Sequence, residues 1–250
     1  QADTNQTGTP DESAPAIDGN RLIAQRLQKI TDVRAAGGNP WPNDFVVDAD
    51  GARVRLENEE LSAEALEAPE NAEREYRIAG RVMAVNSFGK AAFVRIQDRS
   101  DRLQVFVRKN VVGDDLFAVF KGTDIGDIVG VVGTPFRTRT GELTLLVSDY
   151  RLLAKAIRPL PEKWHGLKDK EQRYRQRYVD LIVNPDVRDL FLKRNRVVRA
   201  IRAFLDERDY VEVETPMMHP IPGGASVRPF TTHHNALDIP LFLRIAPKLY

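Results

Sequence analysis

From Tyr76 onward the apolar residues recur at every second position, and this period constrains the fold more than any other feature of the chain. "YRIAGRVMAV", "AAFVRIQD", "DRLQVFVRK", "GDIVGVVGTPFRT" and "GELTLLVSDYRLLAK" each read as a strand. Phe88-Gly89-Lys90, Ser100-Asp101 and Thr140-Gly141 supply turn chemistry between them. One helical stretch, "DDLFAVFKGT", interrupts the series between the third and fourth runs. Five short strands with a helix after the third is the pattern of an oligonucleotide-binding (OB) barrel. On pattern alone, another small antiparallel barrel or sandwich stays open.

The flanking sequence follows other periods. Residues 1–16 are polar, with neither the basic start nor the apolar run of a signal peptide, and read as a disordered tail. "NRLIAQRLQKITDVRAAGG" spaces Leu22, Ile23, Leu27 and Ile30 as a helix would, with Gly37-Gly38 as its stop. The acidic "ENEELSAEALEAPENAERE" is expected to form a short solvent-facing helix. "AIRPLPEKWHGLKDKEQ" is a proline-punctuated linker. After it, Asn184 stands at an N-cap position and Pro185 at the first helical position of a helix of about six turns. Val187, Leu190, Phe191, Val198, Ile201 and Leu205 share one face of that helix, which reads as packed. It runs into "YVEVETPMM", a strand with Val211 and Val213 on one side, ended by Pro216, which has no N–H for a ladder.

Charge is unevenly spread. Residues 57–75 hold eight Glu against one Arg, and residues 151–208 hold sixteen Lys or Arg against eight acids. Such separation suits a chain with one polyanion-facing region, and equally a solvated charged face. The sequence has no cysteine, which excludes disulfides, thiolate zinc sites and cysteine nucleophiles. No apolar run approaches a membrane span, so a cytoplasmic location is the default expectation. Adjacent His233 and His234 lack the ligand spacing of a metal centre and are expected in a turn; no metal site is expected. Trp41 and Trp164 read as packing anchors in proline-rich connectors.

"RYRQRYVDLI", the long helix, "YVEVETPMM" and "IPGGASVRPFTTHHNALDIPLFLRIAP" together resemble the class II aminoacyl-tRNA synthetases. "KWHGLKDKEQRYRQRYVDL" and "THHNAL" favour the bacterial-type lysyl members over the aspartyl and asparaginyl relatives, which share the architecture. The fold class implied is α+β. A five-stranded OB-fold β-barrel at residues 76–155 reads the anticodon, and the start of an antiparallel-sheet catalytic domain occupies residues 173–250. A helical region at 17–75 and a linker at 156–172 complete the expected division.

The resemblance implies ATP-dependent activation of L-lysine, with Mg2+, and transfer to tRNA(Lys) by a homodimer. It implies a stacking aromatic at Phe93, polar readers at Gln104 and Glu142, and phosphate contacts at Arg81 and Lys90. Phe93 shares a face with Arg95 and Gln97, which places it on the outer surface. Asn86 stands where many members carry an arginine; it can hydrogen-bond a base but brings no charge. Val211, Val213 and Pro216 are implied at the dimer interface, and Gly223 and Gly224 at the border of the amino-acid pocket. Lys248 stands where lysyl members typically have a glutamate that accepts the substrate's α-ammonium, and it would set like charge against it. The Phe-Arg-x-Glu sequence of the second class II motif and the arginine of the third, both of the ATP site, do not occur in the sequence given. A non-catalytic RNA-binding fragment or paralogue is therefore the rival reading, and an aspartyl- or asparaginyl-type synthetase a third.

Overall fold

The computed structural model describes residues 19–161, 167–223 and 226–247, so Trp164 lies outside the described residues. Two units follow one another along the chain, the first ending at Gly166 and the second starting at Leu167. In the first, helices α1 (Gly19–Ala35), α2 (Gly51–Asn58), α3 (Ala63–Glu67) and α4 (Pro69–Ala72) precede the strands. Then come β1 (Tyr76–Phe88), β2 (Ala91–Gln97), β3 (Arg102–Arg108), α5 (Lys109–Lys121), β4 (Ile128–Arg137) and β5 (Leu143–Ala154).

The strands close into a barrel in the order β1-β2-β3-β5-β4. Strand β1 serves two neighbours. Its first half pairs with β4 and its second half with β2, with a register shift between Val82 and Ala84 where it changes partner. A short parallel pairing of β3 with β5 joins Gln104, Val105 and Phe106 to Thr144, Leu145 and Leu146 and completes the ring. The alternation seen in the sequence sends Val94, Val105, Val107, Val129, Val131, Leu145 and Val147 inward, all fully buried. Tyr150 joins them and donates its hydroxyl to Thr123 Oγ1 at 3.0 Å, while burial pushes its pKa up. Gly133 is needed for a different reason. A Cβ there would sit 2.4 Å from the carbonyl oxygen of Leu146, at a second register shift between β4 and β5.

Helix α1 has the expected extent, but its inner face differs from the apolar pattern. Leu27 is 46% exposed whereas Arg26 is buried. The Arg26 guanidinium donates to three carbonyls: Ile125 at 2.9 Å, Ala156 at 2.9 Å and Arg158 at 3.2 Å. Lys29 Nζ lies 2.8 Å from Asp124 Oδ1, which joins α1 to a buried network at the mouth of the barrel. There the ammonium of Lys155, 5% exposed, donates to Asp124 and, at 2.6 Å, to the fully buried Asp127. Asp127 also accepts from the backbone N–H groups of Asp124 and Ala156 at 2.8 Å. Burial alone would raise the pKa of Asp124, but hydrogen bonds from Lys155 and Lys29 outweigh it and hold it below the usual carboxylate range.

The acidic stretch is not one solvent-facing helix. The end of α2 and the two short helices α3 and α4 take its place, and Leu66 of α3 turns inward and is buried. Asp50 and Ser62 cap α2 and α3 by accepting from the N–H groups of Arg53 and Ala65.

The second unit contains α6 (Lys170–Arg175), α7 (Arg177–Val183), α8 (Pro185–Asp206) and a small sheet of β6 (Met218–His219), β8 (Ile239–Leu243) and β7 (Thr231–His234), in that order across it. Helix α6 thus begins inside the stretch read as linker. Asn184 is the N-cap of α8, yet its side chain does not cap. Its amide donates instead to Asp180 Oδ1 at 2.7 Å. Asp180, fully buried, also accepts from Arg173 at 2.9 Å and from Arg177. Burial opposes its ionisation, but the Asn184 and Arg173 donors prevail and lower its pKa.

Two expectations for this unit fail within the chain. No residue of α8 is buried: Leu190 is 64%, Ile201 55% and Phe204 53% exposed. Residues 210–216 are extended but pair with no strand among the described residues, and Val211 and Val213 are 82% and 62% exposed. Within this unit the apolar surface of both segments stays largely open. Helix α8 and the extended segment enclose a groove of about 350 Å³ lined by Val198, Ile201, Leu205, Tyr210 and Val211.

Two substitutions check these arguments. Lys155→Met leaves Asp127 buried without its cation and should cost on the order of 3–5 kcal/mol at neutral pH in denaturant unfolding. Lys155 also helps hold the Asp124 carboxylate below its usual range, a contribution present above about pH 4 and lost as pH falls through the lowered pKa, so the gap to the parent should narrow towards pH 3. Gly133→Ala should destabilise by roughly 1–3 kcal/mol, since backbone must move to admit the methyl group, and thermal melting would show it. An unchanged midpoint would mean the strands part there without cost.

Candidate nucleic-acid interface

A strand's side chains alternate between faces, so those not used by the core form rows on the outside of the barrel. The β1–β2 register pairs Asn86 with Phe93, and the β2–β3 register pairs Phe93 with Phe106 and Arg95 with Gln104. One row is therefore Asn86–Phe93–Phe106 and the next Arg95–Gln104, which the parallel pairing sets against the buried Thr144.

The first row is an aromatic surface. Phe93 and Phe106 stack with ring centres 4.4 Å apart and planes 20° apart. Phe88 meets Phe93 edge-on at 6.1 Å, and Phe136 lies 6.0 Å from Phe106. The Arg108 guanidinium sits 5.8 Å from the Phe106 ring centre. Phe93, Phe106 and Phe136 are half-buried while Phe88 and Asn86 are exposed, so aromatic surface is accessible beside an amide. Such a surface offers a stacking platform to any unpaired base.

The second row is polar. Gln104 Nε2 donates to Thr144 Oγ1 at 3.0 Å, and the Thr144 hydroxyl donates to the Glu142 carbonyl at 3.2 Å. The Glu142 carboxylate lies 3.7 Å from Arg95 Nη2. The turn carrying Glu142 is fastened at both ends: Thr138 N–H donates to the Glu142 carbonyl at 3.0 Å, and Arg137 donates to the Gly141 carbonyl at 2.7 Å. Arg137 also donates to the carbonyls of Leu61 and Glu59, which holds the turn against the helical region. On the far side of the sheet, Asp98 ties the β2–β3 turn to α2 by accepting from Gly51 N–H at 2.6 Å.

Of the residues expected from sequence, Phe93, Gln104, Glu142 and Asn86 therefore lie together on one outer surface. Lys90 lies at the β1–β2 turn, exposed. Arg81 does not join them. It sits before the bulge in β1, half-buried, and donates to the Gly126 carbonyl at 2.8 Å; burial lowers its pKa and Asp127 partly offsets this. That hydrogen bond ties its guanidinium to the α5–β4 connection. Phe106, Phe136, Phe88 and Arg95 were not singled out from sequence. Alternation in "RLQVFVR" carried the signal for Phe106, which is two positions from Gln104 and so on its face.

In the second unit, Gly223 borders open space, with nothing within 4 Å of where a Cβ would be. Gly224 and Lys248 lie outside the described residues. Pro216 ends the unpaired segment, which Arg244 holds through the hydroxyl of Thr215 and through its N–H to the Met217 carbonyl at 2.8 Å. His233 is 3.1 Å from Asp238 and His234 accepts from Leu237 N–H, both within the β7–β8 hairpin. Among the described residues no group of three or more His, Asp or Glu could hold a metal ion, and no helix is long and apolar enough to cross a membrane.

Comparison with known proteins agrees with both units. A family model described as an OB-fold nucleic acid binding domain matches residues 76–153. One described as tRNA synthetases class II (D, K and N) matches residues 169–250. The lysine–tRNA ligase of Xanthomonas campestris pv. campestris (strain 8004) is 54% identical over 247 residues, covering 99% of this chain and 48% of that protein. That of Laribacter hongkongensis (strain HLHK9) is 52% identical over 238 residues, covering 95% and 47%. The chain spans about half the length of the curated relatives it matches.

Proposed function

We propose, on the premise that this chain belongs to the class II aminoacyl-tRNA synthetases of the lysyl type and spans a portion of one, that its barrel reads the anticodon of tRNA(Lys). The observation that carries the reading is the outer surface itself: the Phe93–Phe106 stack with Asn86 on one side and Gln104 and Glu142 on the other. Stacking holds an unpaired base, and the polar groups meet its edge. Lys90 contributes a phosphate contact. Arg81, engaged with Gly126, serves chiefly to shape β1.

In the complete protein the reaction is lysine–tRNA ligation. The carboxylate oxygen of L-lysine attacks the α-phosphorus of ATP and pyrophosphate leaves. The terminal tRNA hydroxyl then attacks the lysyl carbonyl and AMP leaves. Gly223, Gly224 and Lys248 border the amino-acid pocket. Mg2+ would neutralise charge on the phosphates. The described residues do not gather ligands for it, so no step is assigned to this chain through that ion. The exposed face of α8, with Val211, Val213 and Pro216, is covered by a second copy in a cytoplasmic homodimer. The supporting observation is contiguous exposed apolar surface beside an unpaired extended segment.

Two measurements test these roles. Phe93→Ala should weaken binding of an anticodon stem-loop with central U by roughly 1–3 kcal/mol, with affinity falling as salt rises. Equal affinity of the two proteins would move the RNA surface elsewhere. In the complete protein, Lys248→Glu should tighten lysine binding more than about tenfold by replacing like charge with a counter-ion, and leave tRNA affinity unchanged. Equal lysine titrations would remove Lys248 from the pocket.

A further inference from the structure

Arg95 stands in the middle of the reading surface, and the sequence assigned it no role. Its side chain is 60% exposed, and its cross-strand partner is Gln104. Its guanidinium is 3.7 Å from the Glu142 carboxylate, close enough for ion pairing but longer than a hydrogen bond. Both groups therefore keep hydrogen-bonding capacity: the carboxylate only accepts and the guanidinium only donates. The backbone that carries Glu142 is fixed, because its turn is fastened by Thr138 and Arg137.

A carboxylate alone discriminates poorly between pyrimidines. It can accept from N3–H of uracil or from the exocyclic amine of cytosine. A donor fixed beside it changes the outcome. In uracil the N–H is flanked by carbonyls on both sides, so a neighbouring guanidinium meets an acceptor whichever way the base lies. In cytosine the amine has ring N3 on one side and a C–H on the other, so one orientation leaves the guanidinium facing no acceptor.

We propose that Arg95 is a specificity-determining residue of this surface: paired with Glu142, it makes the site prefer an N–H flanked by carbonyls, the edge of uracil. The proposal rests on the RNA reading given above and adds to it the residue that turns binding into discrimination.

The test uses the whole chain and two labelled anticodon stem-loops that differ only by U or C at the central base, at fixed salt. Arg95→Ala should weaken the U loop by about five- to a hundredfold, the range of one good base contact, and leave the C loop within about twofold. Arg95→Lys should recover part of the preference, since it keeps the charge but not the planar fork. Combined with Glu142→Gln, Arg95→Ala should add little further loss, because the two residues act as one reader. An equal loss for both loops, with the salt slope reduced by about 0.7 (one single-strand phosphate contact), would make Arg95 a phosphate contact and overturn the proposal. So would an unchanged U-to-C ratio while Phe93→Ala still weakens binding. If the parent chain binds neither loop, or Phe93→Ala has no effect, the RNA reading itself falls, and this proposal with it.

Discussion

Closing a five-stranded sheet requires two strands far apart in sequence to meet, and in this barrel they do so through three residue pairs. The parallel contact of β3 with β5 is short, yet closure of the barrel depends on it. It seals Val105 and Leu145 inside, which completes the core. The same three pairs carry Phe106 and Gln104 on the outside, with Thr144 buried beside Gln104, and so align the aromatic row with the polar one. Core and reading surface are two faces of one ladder, and a slip of one residue would exchange them.

The second unit has a different balance. Its small sheet and its Asp180 cluster are satisfied internally, with three donors meeting one buried carboxylate. Helix α8 has no such closure. A helix of 22 residues with an apolar stripe gains most of its stability from packing that stripe, and here the stripe faces solvent.

Much of this was legible in the sequence. The strands announce themselves because barrel walls alternate strictly, as "AAFVRIQ" does, and because turn residues punctuate them. The parity that placed Phe93 outside is correct for the same reason. The resemblance to the lysyl class II enzymes is borne out by relatives covering nearly all of the chain. What periodicity could not see were partners distant in sequence. Arg26 is buried because three carbonyls about a hundred or more residues away receive it, while Leu27 beside it stays out. Asn184 leaves its capping task because Asp180 competes for its amide. Residues 211–215 have a strand's alternation but no strand partner among the described residues, and alternation alone says nothing of partners. Phe106 was passed over because an aromatic in an apolar run reads as core, although its parity said otherwise.

The clamp on α1 also sets an order of events during synthesis. Arg26 is pinned by carbonyls 130 and 132 residues further along. At translation speeds of 5–20 residues per second, those partners leave the ribosome roughly 7–26 s after the helix does. Until then α1 lacks these partners, and most of a helix's stability in a protein comes from its tertiary packing. An element made this early is therefore among the last to settle. During that interval the nascent chain presents an unburied guanidinium and a frayed helix to whatever chaperones it meets, and only the arrival of Ala156 and Arg158 ends the exposure.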